Sequence, residues 1–222
     1  ILVNVAKSFA AFEMKLISTE SAFDRFVDEV RANPDDPTTW SAISPAAQEG
    51  ARIYVEKAGC LECHKGPMFT DNAFHNLGVP QQPWANGSDE GRFAGITQAK
   101  AYPFSSASEY SDDPTGNQAQ LLAAFPVRAK DLGAFRTPTL RDTALHPPYM
   151  HGGQIADLRG VLEFYNEPDE DSPVIGTRSS HIKPLHLTDR ELDLLLEFLE
   201  TLNGEPLPAE YLTAPSEPAP SP

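Results

Sequence analysis

Both cysteines of the chain stand in one pentapeptide, Cys60-Leu61-Glu62-Cys63-His64. No other feature restricts the fold as much, because two thiols and an imidazole within five residues must share one small volume. The C-x-x-C-H spacing is that of c-type haem attachment. Thiols three residues apart on a helical turn reach two vinyl groups on one porphyrin edge, and the imidazole that follows lies under the iron. A redox dithiol needs its pair at the start of a helix in a βαβ setting, and strand signals are weak throughout the chain. A structural zinc site needs four ligands, and no second cysteine pair supplies them. The motif is therefore read as holding one haem c on Cys60 and Cys63, with His64 as an axial ligand. Such attachment takes place in the periplasm or an equivalent compartment, so a periplasmic location is expected.

Helical signals surround the motif. Ser44-Pro45 is an N-cap followed by a first-turn proline, and it opens a helix that runs toward Cys60. Thr188 and Glu191 form a capping box ahead of a helix with Leu192, Leu195, Leu196 and Leu199 as its buried stripe, ending near Gly204. A further helix is predicted over 154–167, where Leu158, Val161, Leu162 and Tyr165 share one face. Residues 80–130 are rich in Gly, Pro, Ser and Gln, with little periodicity apart from "NQAQLLAAF". The expected fold is mainly α: a cytochrome c-like haem domain with long loops over 44–205. A helical segment precedes it over 1–43, and a Pro-rich tail without structure follows over 206–222.

The opening "ILVNVAKSFAAFEMKLIS" reads as an amphipathic helix, not a signal peptide, so Ile1 is expected to follow earlier sequence or a processing step. No run of about 18 to 20 apolar residues suggests a membrane span. The formal net charge of -15 repels phosphate backbones, which argues against nucleic acid as a partner and suits a basic protein.

His64 fills one axial position, and the other sets the redox behaviour. Met68, Met150, Tyr165 and the histidines at 75, 146, 151, 181 and 186 are the candidates. Met68 lies too near His64 in the chain to cross easily to the other haem face. Pattern alone does not choose among the rest.

Three ordered stretches narrow the choice: "GCLECHKGPMFTDNAFHNLGV", "AFRTPTLRDTALHPPYMHGGQIADLRGVLEFYNE" and "PLHLTDRELDLLLEFLETLNG". Together with the opening helix they resemble the C-terminal haem domain of the bacterial dihaem cytochrome c peroxidases and the MauG-type enzymes. The resemblance covers most of the chain except the loop around 80–130 and the tail. It implies that the second axial ligand lies on the helix after the "PYMHGG" turn, where Tyr165 stands. The alternatives are Met150, or a Tyr165 that is a core residue with its hydroxyl hydrogen-bonded.

The resemblance also implies further roles. Arg136 and Arg141 would lie near the haem edge toward its propionates, unless they are surface arginines. His75 and His151 would hydrogen-bond propionate or water. The backbone carbonyls of His146 and Pro148 would help to bind a calcium ion between two haem domains. A dihaem enzyme needs a second C-x-x-C-H, and this chain has one. The implied function is thus that of one half of a hydrogen-peroxide-dependent oxidoreductase, relaying or storing oxidising equivalents. The peroxide-reactive second haem would sit in a companion N-terminal domain on which the 1–43 segment would pack, and an electron-donor or substrate protein would be the partner. The alternatives are a monohaem electron carrier without peroxidase activity and a haem-bearing structural subunit.

Overall fold

Residues 1–17, 20–81, 88–169 and 171–213 are described by the computed structural model. They form eight α-helices: α1 (Leu2–Glu13), α2 (Ala22–Ala32), α3 (Pro45–Glu56), α4 (Arg92–Ala101), α5 (Asn117–Ala124), α6 (Leu158–Asn166), α7 (Asp189–Glu200) and α8 (Ala209–Leu212). The sheet content is one antiparallel ladder of two-residue strands, β1 (Phe74–His75) and β2 (Phe135–Arg136). The mainly helical expectation holds.

The two caps read from sequence are in place. Ser44 Oγ accepts from Ala47 N at 3.0 Å with Pro45 in the first turn, and Thr188 and Glu191 close a reciprocal box. Each satisfies N–H groups that the first turn leaves without partners. A third box, Ser21 with Asp24, starts α2.

The core forms where α3 crosses α7 and α6 lies alongside. Tyr54, Leu195, Phe198 and Leu202 are its most enclosed large side chains. Leu194 and Phe198 are buried on α7, whereas Leu196 is only partly covered, because α3 and α6 enclose a wider face than a single stripe. The crossing is close at Gly50, where a Cβ would lie 1.9 Å from the carbonyl oxygen of Leu194. Only a residue without a side chain lets the two backbones approach this far.

Several elements differ from the sequence reading. α3 stops at Glu56, and Gly59 turns the chain with a φ of +64° before a 3₁₀ turn over Cys60–Glu62, so the helix does not run into the motif. α6 is shorter than 154–167 because the Asp157 carboxylate caps it, accepting from Gly160 N at 2.8 Å. α4 went unread because it is weakly amphipathic and buries only Ile96. α2, grouped with α1 in the leading segment, instead docks on the core. Phe23 packs edge-on against Phe69 and Phe198, with ring centroids 5.7 and 5.3 Å apart. α1 buries no residue, and its Val5, Phe9 and Phe12 are exposed. Within the stretch expected to lack structure, α8 forms and sets Tyr211 against Phe12. Residues 214–222 of that tail lie outside the described residues.

Candidate functional site

The turn after α3 holds both thiols, which are unpaired with each other. Their backbone is closed on itself: His64 N donates to Cys60 O at 2.8 Å and Asp71 N to Cys63 O at 2.8 Å. Cys60 packs against the core, and burial pushes its thiol up to about 12. Burial also raises Cys63, helped by the nearby charges of Asp71 and Glu62. Neutral, partly buried thiols of this kind do not make a redox pair active at neutral pH.

His64 is held by its Nδ1, which donates to the Phe69 carbonyl at 3.0 Å. The Pro138 carbonyl is a second backbone acceptor beside the ring, and a proton on Nδ1 satisfies the Phe69 carbonyl and leaves Nε2 its lone pair for a metal. Burial lowers the His64 pKa, so the ring stays neutral and competent as a ligand. Tyr54, buried on α3, donates its hydroxyl to the His64 carbonyl. Sequence reasoning missed Tyr54, because only the fold turns this phenol toward the motif.

Tyr165 projects from α6 on the face that carries the buried Leu158 and Leu162. Burial raises its pKa, and the thiols of Cys60 and Cys63 raise it further, so the phenol lies within electrostatic reach of both. Among the described residues its hydroxyl has no hydrogen-bond partner, unlike those of Tyr54 and Tyr149. Met150 sits in the turn before α6 at a φ of +68°, its carbonyl accepting from Gly153 N. The Met68 side chain is exposed.

The other predicted residues are engaged elsewhere. His75 pairs through Nε2 with Asp71 Oδ2 at 2.9 Å. Burial pushes the Asp71 carboxyl up, but hydrogen bonds from His75, Ala73 N and Thr137 outweigh it and hold the pKa at about 2. His151 stacks on Phe135 at 4.0 Å and lies 3.2 Å from Asp89. Arg136 is exposed and bonds Asn72 at 3.0 Å. Arg141 makes a two-pronged pair with Asp24, 2.8 Å on each arm. His146 and Pro148 are exposed, and neither carbonyl accepts a hydrogen bond from a described residue. Cys63, Asp71 and His75 form the one cluster of three side-chain metal ligands among the described residues. Two of these are bonded to each other and the third is a motif thiol, which does not make a zinc site.

The donor set fits a haem c. It offers two adjacent unpaired thiols, a neutral imidazole, and a phenol without a partner among the described residues that both thiols influence. No protein-family model matches the chain. Cytochrome-c peroxidase IdrP2 of Denitromonas iodatirespirans is 31% identical over 200 residues, 90% of this chain and 48% of that protein. Methylamine utilization protein MauG of Methylorubrum extorquens is 33% identical over 203 residues, 91% and 45% respectively.

The chain is a homologue of the dihaem cytochrome c peroxidases and MauG proteins. It spans about half the length of the curated relatives it matches. A solved MauG-like protein associated with microbial copper homeostasis superposes with a TM-score of 0.55 at 24% identity, covering 89% of this chain and 55% of that one. The likeness shows that the fold is the one this family shares. A peroxidase-type oxidoreductase that uses haem c is the common ground of these relatives. No described helix is long and apolar enough to cross a membrane.

Proposed function

We propose that this chain is the C-terminal haem-bearing part of a dihaem c-type peroxidase or MauG-like oxidase. It relays or stores oxidising equivalents in the hydrogen-peroxide-dependent oxidation of a protein partner, in the periplasm. The observation that carries the proposal is the unpartnered Tyr165 phenol, set near the same two thiols that flank the His64 turn.

Haem c, when bound, supplies an iron that exchanges electrons, and a hard anionic ligand opposite an imidazole favours its oxidised form. Cys60 and Cys63 would hold it covalently through their sulfurs. His64 would bind through Nε2 with Nδ1–H on the Phe69 carbonyl, a bond that would hold the ring and make the ligand more basic. Tyr165 would be the second ligand, and burial, which keeps its proton on in the haem-free chain, would be opposed by a cation near the oxygen. Met150 is the alternative ligand. A thioether there would raise the potential and suit an electron carrier.

The exposed α1 side chains Val5, Phe9 and Phe12 support a companion N-terminal haem domain that covers them. The unpaired carbonyls of His146 and Pro148 suit a calcium ion shared with that domain.

A pyridine haemochrome assay with intact mass of the isolated complex tests the reading. Two haems on a complex larger than this chain are expected, and one haem with no companion polypeptide selects the monohaem carrier. Tyr165→Phe should convert a low-spin ferric spectrum to high-spin. An unchanged spectrum removes Tyr165 as ligand and leaves Met150.

A further inference from the structure

The His64 ring faces the backbone carbonyls of Phe69 and Pro138, and the Phe69 carbonyl, 3.0 Å from Nδ1, sits in a turn with an unusual backbone. Phe69 has a φ of +49°, a left-handed conformation that a bulky residue keeps only when its surroundings over-determine it. The surroundings here are specific. Arg141 Nε donates to the Pro67 carbonyl at 2.8 Å, and Thr139 Oγ1 donates to the Met68 carbonyl at 2.6 Å. The Arg141 guanidinium also lies 5.8 Å from the Phe69 ring centroid. Its remaining two nitrogens fork onto both oxygens of Asp24, and the Arg141 side chain is 8% exposed. Asp24 is in turn fixed in the capping box that starts α2, and the neighbouring Phe23 packs on Phe69.

We propose that Arg141, locked by Asp24, is a positioning residue for the iron ligand: it holds the Pro67–Phe69 turn so that the Phe69 carbonyl receives the His64 Nδ1 proton. The guanidinium serves three fixed points at once, which a lysine ammonium on a flexible stem does not reproduce. α2 therefore acts on the haem through Asp24, Arg141 and the turn, so a displacement of that helix changes the donor strength of His64. This rests on His64 being the iron ligand.

The test uses the full chain with Arg141→Lys and Asp24→Asn, in haem-loaded and haem-free forms. In the haem-free chain, the His64 Nδ1 nitrogen NMR shift is expected to move from protonated toward a tautomer average. Exchange of the Phe69 and Thr70 amides, which donate to Gly66 and Lys65 carbonyls, should speed up by about tenfold or more. In the loaded chain, the midpoint potential and the ferric EPR g-values are expected to shift in both variants. Unchanged nitrogen shift, potential and g-values in Asp24→Asn overturn the proposal, as does faster exchange spread evenly over the chain. Asp24→Asn leaves Arg141 in place, so it reports even where Arg141→Lys does not fold. A pyridine haemochrome assay on wild type tests the ligand reading by itself: absence of haem removes that reading, while the haem-free NMR result still decides the turn.

Discussion

Replacing Gly50 by alanine puts a methyl carbon 1.9 Å from Leu194 O, 2.7 Å from Leu194 C and 2.9 Å from Phe198 Cβ. Ordinary contact begins at 3.4 Å, so the nearest pair is short by about 1.5 Å. Two of the three obstructing atoms are backbone, and no rotamer change relieves them. The helices must separate, and Ile53, Tyr54, Leu195 and Phe198 lose contacts along the seam. Overpacking a core costs about 1–3 kcal/mol, and a backbone clash belongs at the upper end. Alanine returns about 1 kcal/mol of helix propensity. The net loss is about 2 kcal/mol, which in a chain this size lowers Tm by about 4–8 °C. Gly95 is the control: a Cβ in the middle of α4 meets nothing within 4 Å. Gly95→Ala should therefore stabilise by about 0.5–1 kcal/mol. Urea unfolding followed by circular dichroism at 222 nm measures both in the haem-free chain. A Gly50→Ala protein as stable as wild type, or a Gly95→Ala protein that loses as much, refutes the reasoning. The functional consequence is specific, because Tyr54 packs on Phe198 at 5.0 Å and holds the His64 carbonyl.

Three further outcomes are expected. The Asp24 carboxyl is held well below its ordinary value of 3.8, first by the hydrogen bonds from Arg141. A depressed carboxylate contributes stability that is full above that value and is lost as pH falls below it. Asp24→Asn should thus flatten the fall of the urea midpoint between about pH 4 and pH 2, and an unaltered slope would count against the pair. Asn166→Leu removes both bonds to Leu187, at 3.0 and 2.7 Å. With a buried N–H and C=O left unpaired it should cost about 2–3 kcal/mol in the same urea assay. In the haem-free chain at pH 8, burial keeps the Cys60 thiol more firmly protonated than that of Cys63. Iodoacetamide with mass mapping should therefore label Cys63 first, and equal labelling would show that Cys60 is not enclosed.

The amino-acid order by itself determined the features whose physics is local. Cys60, Cys63 and His64 declare their chemistry by spacing, and the caps at Ser44 and Thr188 start α3 and α7 from side chains three residues from the N–H groups they bond. The shared face of Leu158, Leu162 and Tyr165 was legible for the same reason, since helical periodicity is a short-range property. Other features exist only after distant segments meet. Gly50 is an unremarked glycine until α7 arrives, and Tyr54 is an apolar-stripe residue until the motif folds back under it. Arg141, expected near the haem edge, has its fork on Asp24, 117 residues away along the chain. α2 was read as part of the leading 1–43 segment, and the fold sets its Phe23 among the core rings. Spacing says which atoms can bind a group; only packing fixes the acceptor that aims the His64 ring and the phenol that lies near the thiols, because orientation depends on contacts no local pattern encodes.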